Sequence, residues 1–269
     1  MDQKIIREIF RKSGPLVATA IHDGHLLRKE VAEIMELNED ERLREEDPFT
    51  GHWTAIGDIQ IIGLQSRFEV DLNRPRGKAV YQKPEDAWGL EVWKAEPSQE
   101  LVARSLAEYD SFYKDAHRIF SKLKKQFGHF VVFDLHSYNH RREGPNGSPA
   151  NPDENPEVNI GTGTMDRTKW APLVDRFITD LRGFNFNNRH LDVRENVKFK
   201  GGQFSRWIHQ AFPESACSIS VEFKKFFMNE WSGKPDFQQL ENILASLQST
   251  IPGVIEELKK IGLNVKIRD

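Results

Sequence analysis

Short apolar runs alternate with longer helical patterns along most of the chain. Four runs have strand length and are typical of strands covered on both faces of a sheet; they occupy residues 16–21, 59–64, 130–135 and 217–223. Residues 68–73 alternate apolar and polar side chains, which predicts a strand with one polar face. Two further strands are predicted near 190–195 and at 263–267.

Helical spacing of apolar residues predicts the elements between these strands. The predicted helices cover residues 2–12, 98–127, 167–182 and 237–260. Two less sharply bounded helices are predicted between His25 and about residue 37 and directly after Gly202. In residues 144–163, Gly, Pro and Asn occupy 12 of 20 positions, which predicts a loop whose length indicates a functional role.

This order of elements predicts one α/β domain that spans residues 1–269. Strands that alternate with helices favour a three-layer α/β/α architecture, with a mixed, mostly parallel sheet between two helical layers. No internal repeat and no linker divides the chain.

Composition narrows the function classes without changing this fold. The formal net charge of −3 argues against nucleic-acid binding, which needs a basic surface. Cys217 is the only cysteine, so we expect neither an intramolecular disulfide nor a cysteine-rich zinc site. No apolar run approaches the roughly 18 residues of a membrane span, and the first residues lack a signal-peptide core. The expected location is the cytoplasm, without a membrane partner.

Two apolar strands each end in a histidine, His22 and His136. Ligands of open α/β sheets bind beyond the carboxyl ends of the strands, so these two imidazoles can converge on one metal ion. The alternative for each is an ordinary polar residue in a loop. A third ligand can come from the acidic run 45–47 or from His25, although the residues of the run by themselves favour a solvated acidic turn.

Cationic residues gather beside these histidines. Arg67 and Arg74 flank the stretch 68–73, and residues 137–142 add Arg141 and Arg142 directly after His136. A pair of guanidinium groups can hold a carboxylate, which predicts a small anionic substrate. Salt bridges on an edge strand are the alternative for Arg67 and Arg74.

Glu222 ends the apolar run that begins at Cys217. A carboxylate in such a buried place is costly unless it is paired or functional, and burial raises its pKa toward that of a general base. An ion pair with Lys224 or with an arginine is the structural alternative.

Taken in order, several segments resemble the N-formylglutamate amidohydrolase family, which is similar in fold to zinc carboxypeptidases and aspartoacylases. The segments are SRFEVDLNR (66–74), DLHS (134–137), NIGT (159–162), the glycine pair 201–202 with a following Arg206, and VEFKKFFMNE (221–230). The resemblance implies a phosphorylase/hydrolase-like fold. The first histidine motif, IHDGH, departs from the family's usual Pro-His start.

The resemblance also implies roles for single residues. His22 and His136 correspond to zinc ligands, and Glu46 or Asp47 to the acidic ligand, with Glu46 favoured by spacing. His25 stands where the carboxypeptidase-like relatives have their acid. Glu222 corresponds to the catalytic glutamate. Arg67 resembles the arginine that polarises the scissile carbonyl, and Asn73 with Arg74 the pair that holds the substrate carboxylate.

The resulting hypothesis is a zinc-dependent amidohydrolase. Its substrate would be a small N-acylated acidic amino acid such as N-formylglutamate. A carboxypeptidase or deacylase that acts on another acyl or peptidyl substrate would use the same residues. A non-catalytic binder of an acidic metabolite is the alternative from another class. The sequence leaves the oligomeric state open.

Overall fold

A computed structural model describes the backbone of residues 6–10 and 12–266 and the side chains of residues 12–262. The strands in these ranges are β1 (Ile6–Phe10), β2 (Leu16–Ala20), β3 (Ile59–Gly63), β4 (Phe130–Tyr138), β5 (Val158–Gly161), β6 (Val193–Glu195) and β7 (Ala216–Lys224). The α-helices are α1 (Lys29–Ile34), α2 (Glu39–Glu45), α3 (Thr50–Trp53), α4 (Gln99–Phe127), α5 (Ala171–Gly183), α6 (Gln203–Ala211) and α7 (Phe237–Lys266).

These strands form one sheet in the order β1-β3-β2-β4-β7-β5-β6. The four central strands, β3, β2, β4 and β7, run parallel to one another. β1 pairs antiparallel with β3, β5 pairs antiparallel with β7, and β6 runs parallel to β5. The prediction of a mixed, mostly parallel sheet is confirmed.

Helices cover both faces of this sheet. On one face, Phe133 of β4 contacts Phe177 of α5, with ring centroids 4.9 Å apart, in a buried cluster that includes α7. On the other face, Phe130 contacts Phe120 of α4, with centroids 5.4 Å apart, in a cluster that includes α6. The predicted three-layer α/β/α architecture is therefore confirmed.

The predictions for the two ends of the chain are wrong where the structure describes them. Residues 6–10 form β1 rather than a helix, because β3 offers a strand edge that satisfies their backbone groups. Residues up to 266 continue α7 instead of forming a strand at 263–267. Extending an existing helix needs no new nucleus, and the single Gly262 is tolerated there. Residues 1–5, 11 and 267 lie outside the described residues.

Two internal predictions also need correction. Residues 66–73 form successive turns rather than a strand. Their apolar side chains are buried, and so are the polar Ser66, Glu69 and Asp71, of which Glu69 and Asp71 are fully enclosed. The predicted loop 144–163 contains β5, because Val158 and Ile160 are buried against β7. Across the part of the chain that the structure describes, no helix is long and apolar enough to cross a membrane.

Candidate active site

Three neighbouring strands bring His22, His136 and Glu222 to one edge of the sheet. His22 lies two residues after β2, His136 lies near the end of β4, and Glu222 of β7 stands opposite His136 in the strand register. The chain passes from β2 to β3 on one side and returns to β4 on the other, so this edge is a topological switch point. Ligands of open α/β sheets bind at such points.

His22, Asp47 and His136 form a buried group whose potential ligand atoms all lie within 4.8 Å of one another. Asp47 Oδ2 is 3.4 Å from His22 Nδ1 and 2.9 Å from His136 Nδ1. Ligands bound at 2.0–2.2 Å around a tetrahedral zinc ion lie about 3.3 Å apart. The donor types and their spacing therefore fit zinc.

Two further buried carboxylates orient the imidazoles. His22 Nε2 donates to Asp71 Oδ1 at 2.8 Å, and His136 Nε2 lies 3.2 Å from Asp134 Oδ1. Because Nε2 of His22 faces Asp71, Nδ1 is the ring nitrogen that faces Asp47 and that would bind a metal ion. Metal-ligating histidines typically have such a carboxylate behind them.

The acidic groups shift the ionisation of this cluster. Burial would raise the pKa of Asp47, but hydrogen bonds from His136 and His22 lower this pKa well below its usual range. Burial would likewise lower the pKa of His136, yet Asp134 and Glu222 raise it well above its usual value. The carboxylates thus create a field that favours positive charge at this place.

Glu46, which the sequence spacing favours as the third ligand, faces away from the two histidines. Its carboxylate is 2.5 Å from His25 Nδ1 and accepts a 2.5 Å hydrogen bond from the Ser66 hydroxyl. His25 also lies outside the group formed by His22, Asp47 and His136. The geometry therefore favours Asp47 over both Glu46 and His25.

The segment that carries Asp47 is buried, so the interpretation as a solvated turn is wrong. Glu45, Glu46 and Asp47 are all less than 10% exposed, at 7%, 0% and 2%. The Asp47 N–H donates to the carbonyl of His22 at 2.9 Å, and Lys225 Nζ donates to the carbonyl of Glu46 at 2.7 Å. Contacts from residues just after β2 and β7 thereby fix the position of Asp47.

Glu222 faces the same cavity as the two histidines. Within residues 12–262, no lysine or arginine forms an ion pair with it; Lys224 donates instead to the carbonyl of Asn155 at 3.0 Å. Burial raises the pKa of Glu222 to about 7. A carboxyl group with a pKa near neutrality suits general acid and base catalysis.

Arg67 and Arg74 lie close to Asp71. Arg67 donates to Asp71 Oδ2 at 2.8 Å, and Arg74 Nε lies 3.8 Å from the same oxygen. Asn73 Oδ1 accepts from the N–H of Phe204 at the start of α6, which leaves its Nδ2 group as the donor for a ligand. The turns at 66–73 therefore replace the predicted strand and still direct these side chains to one place.

A cavity of about 290 Å³ joins these groups. Its lining includes His22, Asp47, Arg67, Asn73, Arg74, His136 and Glu222, together with the cationic Arg142, Lys200 and Lys225. Glu46 is not part of the lining. The volume fits a small molecule, and the arginines and lysines around it favour an anionic one.

Sequence reasoning gave no role to Asp71 and Asp134. Both are fully buried. Asp71 lies in the motif that carries Arg67, and Asp134 lies in the motif that carries His136. The same argument that singles out Glu222 would have found Asp134, since an acid within the apolar strand FVVFDLHSY is costly unless it has a partner.

Comparison with known proteins agrees with this architecture. The model of a family described as N-formylglutamate amidohydrolase matches residues 14–227. No curated protein sequence matches the chain significantly.

Two solved structures are similar to the chain over nearly their whole lengths. N-formylglutamate amidohydrolase from Ralstonia eutropha JMP134 has a TM-score of 0.72 at 15% identity, over 97% of this chain and 100% of its own. A gene product from Agrobacterium tumefaciens has a TM-score of 0.69 at 15% identity, over 96% of this chain and 97% of its own. At this identity, the likeness supports the fold alone.

Proposed function

Because the chain belongs to the N-formylglutamate amidohydrolase family, we propose that it hydrolyses the amide bond of a small N-acylated acidic amino acid such as N-formylglutamate. Family membership supports amidohydrolase activity in general. One observation carries the finer proposal: Glu222, the group of His22, Asp47 and His136, and two arginines share one small cavity.

We propose that His22, Asp47 and His136 hold a zinc ion. When bound there, zinc would act as a Lewis acid that makes water more acidic and polarises a carbonyl group. The two imidazoles and the carboxylate provide the His and carboxylate donors of a catalytic zinc site and leave one position open.

The remaining steps belong to the protein's own side chains. Glu222 takes a proton from the attacking water and delivers it to the leaving amine nitrogen, which its raised pKa allows in both directions. The Arg67 guanidinium donates to the oxygen on which negative charge develops. Asn73 and Arg74 hold the carboxylate of the substrate and thereby place the amide beside Glu222.

A substrate panel with parallel metal analysis tests the proposed function. We expect about one zinc ion per chain, and formate release from N-formylglutamate faster than acetate release from N-acetylglutamate. Cleavage of a dipeptide with C-terminal glutamate but of neither N-acyl compound would identify a carboxypeptidase instead. Binding of these acids without any hydrolysis by the zinc-loaded protein would indicate the non-catalytic binder.

Arg74→Ala tests the carboxylate contact. We expect kcat/KM for N-formylglutamate to fall roughly 10- to 100-fold, because a hydrogen bond to a charged group is lost. The analogue with an amidated carboxylate should lose far less, since it makes no such contact. An equal loss on both compounds in steady-state kinetics would show that Arg74 is structural.

A further inference from the structure

The turn after Asn73 and Arg74 presents a tryptophan to the cavity. Residues Pro84–Ala87 form one 3-10 turn, and Trp88 follows with φ 57° and ψ 25°, in the left-handed region. The Asp86 carboxylate accepts hydrogen bonds from the N–H groups of Gln82 and Lys83, and Ala87 is fully buried. Side chains other than glycine seldom adopt this conformation unless the surroundings enforce it, and such residues cluster at functional sites.

The indole of Trp88 lies beside the guanidinium groups of Arg67 and Arg74. Its ring centroid is 4.9 Å from Arg67 Cζ and 5.8 Å from Arg74 Cζ, within the range of cation–π attraction. The indole and the Tyr81 ring also pack edge to face, with ring centroids 6.1 Å apart. Trp88 nevertheless stays 49% exposed, although it is among the largest apolar side chains. The Trp88 ring therefore contributes little to the stability of the fold through burial alone.

The two arginines depend on this turn to different degrees. Arg67 is held by the Asp71 carboxylate, the Tyr81 hydroxyl and the carbonyl of Glu45. The Arg74 side chain donates one hydrogen bond within residues 12–262, at 3.2 Å to the carbonyl of Asp86, which belongs to the same turn as Trp88. Its Nε also lies 3.8 Å from Asp71 Oδ2, and its Cζ lies 5.6 Å from the centroid of the Tyr81 ring. The turn therefore contributes the side-chain hydrogen bond of Arg74 and one of the two aromatic rings beside its guanidinium group.

We propose that Trp88 is a positioning residue that holds Arg74 for the substrate carboxylate and covers the ion pair once it forms. The inference rests on the proposed function, because that function gives Arg74 its ligand. The indole limits the orientations of the guanidinium group before binding, and it excludes water from one side of the contact. Both effects strengthen a charge-assisted hydrogen bond.

Steady-state kinetics on Trp88→Ala and Trp88→Phe test the proposal. For Trp88→Ala we expect KM for N-formylglutamate to rise about tenfold with kcat changed less than about threefold, as the loss of a cation–π contact predicts. Trp88→Phe should recover most of this loss, because a smaller ring still faces Arg74. Phe237→Ala is the matched control: Phe237 is 73% exposed and does not line the cavity, so its KM should equal that of the wild type.

A double-mutant cycle separates positioning of Arg74 from a general structural effect. In the Arg74→Ala background, Trp88→Ala should raise KM by less than about twofold, because its target is gone. A wild-type KM in Trp88→Ala, or the same tenfold rise in both backgrounds, would overturn the proposal.

Calorimetric titration with glutamate, the expected product, makes this test independent of catalysis. Trp88→Ala should bind glutamate about tenfold more weakly than the wild type, and equal affinities would overturn the role of Trp88. If the wild type binds glutamate but hydrolyses no N-acyl compound, the proposed function fails while this comparison still decides on Trp88. If the wild type binds no glutamate, the role of Trp88 fails.

Discussion

Replacement of Glu222 by glutamine is expected to lower the turnover number by about 10²- to 10⁴-fold, while the metal content stays unchanged. The variant keeps the size of the side chain but removes the oxygen that accepts the proton of water. The proposed ligands His22, Asp47 and His136 are untouched, so zinc should remain bound. Turnover and zinc content are measured on the same preparation.

The stability of this variant distinguishes catalysis from an ion pair. Burial raises the pKa of Glu222 from 4.5 to about 7 in the folded protein, so stability falls as the pH rises through this range, and the full cost of the buried charge is present at pH 8. We therefore expect Glu222→Gln to unfold at the same or a higher temperature than the wild type at pH 8. A structural ion pair would instead cost about 3–5 kcal/mol when broken and leave turnover per folded molecule unchanged.

Lys224→Gln is the matched control for Glu222→Gln. Lys224 lies two residues further along β7 and donates to the carbonyl of Asn155 rather than to Glu222. Its replacement should leave turnover near the wild-type value. Near-normal turnover in Glu222→Gln with zinc in place would remove Glu222 from the mechanism.

Local sequence patterns predict the candidate site residues His136 and Glu222 because both lie near the carboxyl ends of central strands. A segment of about ten residues is enough to recognise an apolar run that ends in His136 or Glu222. Parallel strands then bring their carboxyl ends to one edge of the sheet, whatever the positions of the helices. The same logic fails at the margin of the sheet. Residues 6–10 become a strand only because β3 is there to pair with them, which no local pattern records.

The choice between Glu46 and Asp47 also exceeds what a sequence can show. Glu46 has extended backbone angles, φ −75° and ψ 177°, directly after α2 ends. Successive side chains of an extended chain point in opposite directions, so one neighbour must face the histidines and the other must face away. Which of them does so depends on Lys225 and His22, whose contacts with this segment come from distant parts of the chain.

The turns at 66–73 show a related limit. Alternation of apolar and polar residues predicts a strand when one face is solvated, but here Glu69 and Asp71 are buried with specific partners. Glu69 accepts from Arg28 at 2.6 Å, and Asp71 accepts from His22 and Arg67, each at 2.8 Å. Tertiary ion pairs thus replace the solvent that the pattern assumes.

Asp47→Ala is expected to abolish metal binding and activity, whereas Glu46→Gln should keep the metal. Loss of a residue that supports a metal ligand typically weakens metal binding roughly 10- to 100-fold, and loss of a direct ligand should weaken zinc binding by more than this. Turnover should fall on the order of 10²-fold or more. Glu46→Gln retains a side chain that can accept from Ser66 but removes the charge beside the buried Arg42, 3.6 Å away. Its unfolding midpoint should therefore fall, because a buried cation loses its partner.

Zinc content per folded chain, measured for both variants after dialysis at the same free zinc concentration, decides between the two acids. The Asp47 carboxylate lies against both imidazoles, and no other carboxylate described within residues 12–262 joins that group. Only the removal of the Asp47 carboxylate should therefore leave His22 and His136 without a third metal ligand. Zinc retained in Asp47→Ala and lost in Glu46→Gln would return the ligand role to Glu46. Such a result would require the segment after α2 to turn its other side chain toward the histidines when metal binds.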